Sequence, residues 1–408
     1  MDYLTTVFFV YAFISFYFLF LFLLIYFQNK KEFHLSPSMT KSYSLSIVIP
    51  CYNEEKNIGM AIENLLQTDY RGLKKVIAVD DCSTDNSFKI LKALEKKYSK
   101  LLVVQTPKNT GCAAGSKNYG VKFANTELIG FIDADSFPNK NAIGKMMGFF
   151  DNEKIAAVTS FILVKNRENM LTRLQSIEYQ IIAFTRRLLG FIEAIYVTPG
   201  PLAVYRKSYF DKIGGFDEKN LTEDIEITWH FVAQGYKVAM SPESRVYTVA
   251  PAKFNAWFKQ RIRWNLGGLQ TISKYKLSFL RTGMLGKFIL PLFISSWILG
   301  ISGLFVLGYR IFRTAIVRLL ATKYSIEAQT AIITFKDLQI TPNVLIFFGL
   351  ISLFLGMAFT LIALMHSRED FKKEKLYEVL IYAFFYLLMY PVIMVKSIHN
   401  YFKKNKSW

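Results

Sequence analysis

Two aspartates stand one residue apart in DADS (133–136), directly after the apolar run LIGFI (128–132). Along an extended segment residues i and i+2 share a face, so Asp133 and Asp135 can reach one divalent cation or one metal-bound diphosphate. A second acidic pair, Asp80 and Asp81, lies in VDDCSTDNS (79–87) after another apolar run. Adjacent carboxylates repel unless something cationic or hydrogen-bonding offsets them. At a strand end they can accept hydrogen bonds from a base or ribose, while Ser83, Thr84 and Asp85 suit the cap of a following helix. TED (222–224) precedes IEITWHFV; it reads equally as a helix N-cap or as the setting of a general base. In QRIRW (260–264), i, i+3 and i+4 spacing gathers Gln260, Arg263 and Trp264 on one helix face. A phosphate-binding guanidinium then stands beside a flat apolar platform suited to a sugar ring.

Two weaker signals accompany these. PCYNEE (50–55) follows LSIVI (45–49) and forms a strand-to-helix turn, which presents free backbone N–H groups to a ligand. Gly111, Gly115 and Gly120 with Asn118 make a small-residue turn where a nucleotide can approach the backbone closely. No G-x-G-x-x-G and no P-loop is present, so neither a dinucleotide oxidoreductase nor an ATPase is supported. Cys51, Cys82 and Cys112 match no zinc or redox spacing, and His34, His230, His366 and His399 are far apart in sequence, which argues against a protein zinc site.

The elements that must position these groups are legible as alternating patterns. LSIVI (45–49), VIAV (76–79), LLVV (101–104) and LIGFI (128–132) read as buried strands; residues 54–67, 87–98 and 115–124 carry helical spacing. Such alternation predicts an α/β domain over residues 45–250, with a doubly wound, mostly parallel sheet and ligands beyond the carboxyl ends of its strands. The polar motifs fall at those ends.

Apolar residues concentrate at the two ends of the 408-residue chain, which is 52% hydrophobic. Residues 5–27 form a run long enough to cross a hydrocarbon core of roughly 30 Å. It lacks a basic start and a small-residue cleavage site, so it reads as an anchor (1–30) rather than a removable signal. Lys30 and Lys31 after it place the following domain in the cytoplasm. Residues 287–309, 344–365 and 376–395 are each long enough to span, within a C-terminal membrane region at 286–408. The basic stretch with Arg310, Arg313, Arg318 and Lys323 should stay out of the bilayer. Four spans would leave Lys403, Lys404 and Lys406 outside, against the usual charge bias. Residues 170–191 and 254–272 mix aromatic, apolar and basic positions, as helices lying in the headgroup plane do; a packed helix of the α/β domain is the other reading. The motif QRIRW therefore sits in an interfacial region, 251–285. A net charge of +19 suits an anionic membrane surface or a phosphorylated substrate. The basic residues are scattered rather than clustered into an arm, so no nucleic-acid partner is expected.

With VDD, DAD, TED and QRIRW in this order, the chain resembles the processive family 2 membrane glycosyltransferases, the group of cellulose, chitin, hyaluronan and poly-N-acetylglucosamine synthases. The likeness runs from about residue 46 to 270. LTEDIEITW (221–229), WFKQRIRW (257–264) and QSIEY (175–179) look most like poly-β-1,6-N-acetylglucosamine synthases, and GPLAVYR (200–206) is similar to a segment lining the acceptor site of hyaluronan- and chitin-type enzymes. The resemblance implies a GT-A fold and a set of roles. Pro50, Tyr52, Glu54 and Lys117 would line the donor site, Asp81 would hold the uracil or ribose, and Asp133 would contact the nucleotide sugar. Asp135 would ligate Mg²⁺ or Mn²⁺, and Asp224 would be the base. Glu223, Gln260 and Arg263 would serve the diphosphate or acceptor, with Trp264 stacking on the acceptor sugar.

The implied activity is inverting transfer from a UDP-sugar, with UDP-N-acetylglucosamine first, to a growing β-linked polysaccharide at the cytoplasmic membrane face. The resemblance leaves coupling to export open, and the residues identify no accessory export subunits. One departure bears on processivity: Ala113 stands where many polymerising members carry Lys, while Lys117 is more like the basic residue of single-transfer members. Single transfer to a polyprenyl phosphate is thus the alternative. A non-catalytic transporter or scaffold is the rival from another class; the chain shows neither internal repeats nor many spans.

Overall fold

A computed structural model describes residues 3–281, 283–329, 344–367 and 375–403. After helix α1 (Tyr3–Asn29), strand and helix alternate through β1 (Leu45–Cys51), α2 (Ile58–Leu66), β2 (Leu73–Asp80), α3 (Ser87–Lys97), β3 (Leu101–Gln105), α4 (Ala113–Val121) and β4 (Leu128–Phe131). The chain continues with β5 (Ser136–Pro138), α5 (Gly144–Met147), β6 (Ile155–Val164), α6 (Met170–Phe191), β7 (Ala203–Arg206), α7 (Lys207–Lys212), α8 (Glu223–Ala233) and β8 (Lys237–Thr248). Last come α9 (Phe254–Tyr275), α10 (Leu290–Glu327), α11 (Val344–His366), α12 (Leu376–Ile381) and α13 (Met389–Phe402).

The eight strands among the described residues make one sheet in the order β3-β2-β1-β4-β7-β6-β8-β5. β1 pairs in parallel with β2 and β4, and β2 with β3; these are the strands that the alternation predicts. The far half is mixed, with β7 antiparallel to both β4 and β6, β8 parallel to β6, and β5 antiparallel to β8. The sheet is buried on both faces: Ile47, Ile49, Val76 and Ala78 join one apolar cluster, while Val48, Ile77 and Val79 join the other. That is why β1 and β2 read as continuous apolar runs rather than alternating ones. Gly120 lets α4 sit directly on this sheet, since a Cβ there would lie 2.5 Å from Val48 Cγ1 and 2.8 Å from Val79 Cγ2. The first sheet-covering helix begins at Ile58, and residues 54–57 belong to the turn before it.

Among the described residues, four helices are long and apolar enough to cross a membrane: Thr6–Asn29, Leu285–Glu327, Phe347–His366 and Leu376–Phe402. The 43 residues of the second span about 65 Å, roughly twice a hydrocarbon core. Its distal half carries Arg310, Arg313, Arg318 and Lys323, all exposed. Lys404 and Lys406 lie outside the described residues.

Two helices join the sheet to this bundle. α6 opens with a capping box, Asn169 Oδ1 accepting from Thr172 N at 2.9 Å and Thr172 Oγ1 accepting from Asn169 N at 3.2 Å. It then runs between the sheet and α1 and α11, with Phe184 and Leu188 packed among Ile25, Tyr26 and Ala363. Its neighbour α9 lies against α8 on one side and α13 on the other; Trp257 Nε1 donates to Tyr386 Oη, between α12 and α13, at 2.7 Å.

Candidate active site

The polar motifs meet in one cavity of about 680 Å³ beyond the carboxyl ends of the central strands. Pro50, Tyr52, Glu54, Asp81, Lys117, Asp133, Asp135, Glu223, Asp224, Gln260, Arg263 and Trp264 all line it. Chain positions more than 200 residues apart are thus brought together, some from strand ends and others from within α4 and α9.

On the side formed by β1 and β2, Asp81 N donates to Cys51 O at 2.8 Å, locking the two strand ends together. The Asp81 carboxylate accepts from Thr106 Oγ1 at 2.7 Å, Thr110 Oγ1 at 2.8 Å and Thr110 N at 3.0 Å. Three donors fix its orientation at the cavity wall. Asp80 is fully buried and does not reach the cavity; Gln105 Nε2 and Ser83 N serve one of its oxygens, and the other has no partner. The adjacent carboxylates thus avoid each other by facing different ways.

Asp133 and Asp135 leave β4 on the cavity floor. Asp133 N donates to Gly200 O at 3.1 Å, and a Cβ at residue 200 would stand 2.3 Å from Asp133 Oδ2. Glycine at 200 is therefore a steric condition for the Asp133 carboxylate to sit where it does. Asp135 Oδ1 accepts from Ser136 Oγ at 3.2 Å and Thr248 Oγ1 at 3.3 Å. Burial, then the charges of Asp133 and Glu54, push its pKa up to about 7. A divalent cation would relieve that repulsion, and two carboxylates are the share of ligands a protein commonly gives Mg²⁺ or Mn²⁺ when phosphate and water complete the shell. No group of three His, Cys, Asp or Glu able to hold a metal occurs among the described residues. The donor set fits a hard cation shared with a diphosphate, not a caged structural metal.

Behind the floor, Lys117 is almost fully buried, with Nζ 2.8 Å from Glu223 Oε1 and 3.6 Å from Asp133 Oδ1. Burial alone would lower its pKa, but Glu223 and Asp133 overcome that and hold it well above the ordinary lysine value. In return, burial works to raise Glu223, and the Lys117 ammonium overrules it and keeps the carboxylate low. Asp224 behaves oppositely. Burial and then the Glu223 charge push it up to about 7, against weaker pulls from Lys117 and Arg263. Neighbouring carboxylates at the start of α8 are thus held apart, one ionised and one near neutrality, a pattern that marks acid–base sites. Thr222 makes no side-chain cap to α8; its Oγ1 turns to Asn220 Oδ1 at 3.3 Å.

On α9, Arg263 Nη1 donates to Leu221 O at 3.2 Å, tying QRIRW to the segment before Glu223. The tie needs close helices: a Cβ at Gly267 would lie 2.2 Å from Thr222 Oγ1. Sequence reasoning missed Arg261. Its guanidinium is fully buried, paired with Glu178 Oε2 at 2.5 Å and donating to Tyr390 Oη at 3.1 Å. It also donates to Gln260 Oε1 and lies 4.0 Å from the Trp264 ring centre. Arg261 therefore fixes Gln260 and Trp264 from behind. Arg186, Tyr196, Phe293 and Trp297 also line the cavity and were not singled out. In the sequence, the charges of Glu178 and Arg186 fitted a headgroup-plane helix over 170–191 and so did not stand out.

Comparison with known proteins matches residues 46–214 to the glycosyl transferase family 2 model. Poly-β-1,6-N-acetyl-D-glucosamine synthases of Staphylococcus aureus strain COL and Staphylococcus epidermidis are 27% and 29% identical over 248 residues, 60% of this chain and 60% of each relative. The match thus spans about three-fifths of those relatives' length. Among solved structures, a mannosyltransferase from Pyrobaculum calidifontis, in complex with GDP-mannose and Mn²⁺, superposes with a TM-score of 0.61 at 16% identity. That superposition covers 97% of this chain and 99% of the other, so the likeness of fold extends through the apolar helices.

Proposed function

We propose, for a chain whose residues 46–214 are a family 2 glycosyltransferase domain, that it moves a sugar from a UDP-sugar to a growing β-linked polysaccharide with inversion at the anomeric carbon. UDP-N-acetylglucosamine is the first donor to test, on the strength of the staphylococcal relatives' names. The observation that carries the reading is the convergence of Asp81, Asp133, Asp135, Asp224 and the QRIRW side chains on one cavity. The work would take place at the cytoplasmic membrane face, a side that the charge bias of Lys30 and Lys31 favours.

In this reading Asp81 receives the uracil or ribose, with Pro50, Tyr52 and Glu54 beside it. Asp133 and Asp135 would hold Mg²⁺ or Mn²⁺, which when bound supplies positive charge to the diphosphate. Asp224 takes the proton of an acceptor hydroxyl as its oxygen attacks the sugar C1. The C1–O bond to the diphosphate breaks and UDP leaves with the electron pair. Arg263 offsets the charge gathering on the leaving group, and Lys117 keeps Glu223 ionised so that the proton goes to Asp224. Trp264, braced by Arg261, gives the acceptor sugar a face to stack on.

The test is UDP release by the detergent-purified chain over a panel of UDP-sugars with Mn²⁺ or Mg²⁺, beside Asp224→Asn. Release with one sugar, abolished by chelation and by the substitution, is expected. Full turnover by Asp224→Asn would remove the base assignment, and sizing the product separates a polymer from a single transfer.

A further inference from the structure

Glu178, on α6, carries a buried charge that has no part in the transfer described above. It is 2% exposed; its Oε2 accepts from Arg261 Nη2 at 2.5 Å and from Tyr386 Oη at 2.7 Å, while its Oε1 has no partner. Burial works against the Arg261 charge, and the Glu178 carboxylate outweighs it. Exchanging a buried ion pair for apolar side chains of similar volume often leaves a fold as stable or more so. Stability alone is therefore a weak reason for a glutamate and an arginine between α6 and α9. Directional hold is a stronger one.

What Arg261 holds faces the cavity. Its Nη1 donates to Gln260 Oε1 at 2.5 Å, and its guanidinium carbon lies 4.0 Å from the centre of the Trp264 ring. Tyr179, next to Glu178 on α6, lines the same cavity, its ring centre 6.4 Å from that of Trp264. Gln260 and Trp264 are only half-buried, so packing on its own would leave them rotamer freedom. The other partners of the ion pair come from the C-terminal apolar segment, Leu376–Phe402. Arg261 Nε donates to Tyr390 Oη at 3.1 Å, and Tyr386 Oη accepts from Trp257 Nε1 at 2.7 Å while donating to Glu178. Tyr382–Tyr386, between α12 and α13, forms a π-helical turn, a feature frequent at functional sites. Tyr382 and Tyr386 stack with ring centres 5.4 Å apart, and Tyr390 follows at 6.2 Å from Tyr386. This tyrosine ladder ends on the buried pair, and through two hydroxyls and one arginine the segment reaches the acceptor side of the cavity.

We infer that Glu178 is a positioning residue for the acceptor: with Tyr386 and Tyr390 of the C-terminal apolar segment it aims Arg261, and Arg261 sets the pose of Gln260 and of the Trp264 platform. The inference rests on the acceptor role given to Gln260 and Trp264 above, and adds that a helix of the apolar bundle governs their pose. A guanidinium suits this task because its plane lies against the indole while its edges bond Glu178, Gln260 and Tyr390 at fixed angles. A lysine ammonium has the charge but neither the plane nor the fork.

The test is ¹⁹F NMR of the full chain in detergent micelles, labelled with fluorotryptophan and with the Trp264 resonance assigned by Trp264→Phe. Steady-state kinetics with the UDP-sugar and a β-linked oligosaccharide of the same sugar run beside it. Tyr390→Phe removes one hydroxyl and keeps the ring, while Glu178→Gln removes the charge and keeps the shape. Both should shift or broaden the Trp264 resonance. Both should also raise the oligosaccharide KM by roughly tenfold and leave the UDP-sugar KM where it was. Arg261→Lys separates hold from charge: its Tm should lie nearer the parent's than that of Arg261→Met, yet its oligosaccharide KM should be as high. A Trp264 resonance unmoved in both Tyr390→Phe and Glu178→Gln would overturn the inference. So would an oligosaccharide KM that recovers together with Tm in Arg261→Lys, as for a merely structural pair, or a donor KM that rises as far as the acceptor KM. A parent that releases no UDP from any UDP-sugar, with the Trp264 resonance still displaced by both substitutions, would keep this control of pose and remove the transfer reading instead.

Discussion

Asp224 sits where burial and the Glu223 charge both hold its proton on, which lifts its pKa to about 7 from the ordinary 3.8. A general base works only when ionised, so kcat/KM should rise with pH through about 7 and level above it. Asp224→Asn should cost about 10²- to 10⁴-fold in kcat and leave UDP binding intact; a plateau already reached at pH 5 would contradict the assignment. Stability should move the other way. The carboxyl binds its proton more tightly in the folded chain, so its contribution is full below about 4 and is lost as pH rises through about 7. Asp224→Asn should therefore gain in Tm over the parent as pH rises across that window, which thermal scans at several pH values would check. The acidic and QRIRW residues were legible because their spacing within a strand end or a helix turn fixes which share a face. Lys117 was placed at the donor site by the resemblance, but its pairing was not legible. That it neutralises Glu223 and Asp133 at once depends on α4 and α8 facing each other across 106 residues of chain. With one partner removed, the buried Glu223 is uncompensated, so Lys117→Met should lower stability by about 3 to 5 kcal/mol, measurable by denaturant unfolding.

Helices α8 and α9 decide whether the base and QRIRW act on one substrate, and their separation is set by Gly267. Its missing Cβ leaves room for the Thr222 side chain, two residues before Asp224. Gly267→Ala should push α9 outward at about 1 to 3 kcal/mol. It should also lower kcat/KM well beyond what that loss explains, since Gln260, Arg263 and Trp264 move together. Kinetics on folded, detergent-purified protein would check this, and unchanged kcat/KM would show that the spacing is not critical. Periodicity revealed α9 and its polar face, but a glycine four residues past an arginine says nothing of the helix it will touch. The first four strands were legible because they keep apolar runs of strand length, buried on both faces in β1, β4 and most of β2. β5 and β7, three and four residues long, are too short for a period and take their place from tertiary pairing with β8 and β4.

Over the whole molecule, the α/β domain and the apolar helices share their cores rather than merely adjoining. Phe184 and Leu188 of α6 pack with Ile25, Tyr26 and Ala363, and Trp257 and Ile262 of α9 pack with Val379, Tyr382, Tyr386 and Ile393. Polar groups follow the same division. The buried Glu178 accepts from Tyr386 Oη at 2.7 Å as well as from Arg261, Arg261 donates to Tyr390, and Arg173 Nη1 pairs with Glu378 Oε1 at 2.9 Å. From sequence alone, mixed apolar and basic patterns in α6 and α9 fit a headgroup-plane helix or a packed one. Periodicity cannot say whether lipid or another helix covers an apolar face. The distinction has a consequence. A fragment of residues 33–280 keeps every strand but loses α1 and α10 to α13, which would expose those aromatic faces and deprive Glu178 and Arg261 of their tyrosines. Burial of a large apolar side chain contributes about 1.5 to 3 kcal/mol, and several are lost together against a net stability of about 5 to 15 kcal/mol. The fragment should therefore aggregate without detergent while the full chain stays monodisperse in micelles, as size exclusion would report. A folded, monodisperse fragment with cooperative unfolding would mean that α6 and α9 rest on the membrane helices without depending on them, and Trp264 and Gln260 would then need another explanation for their fixed positions.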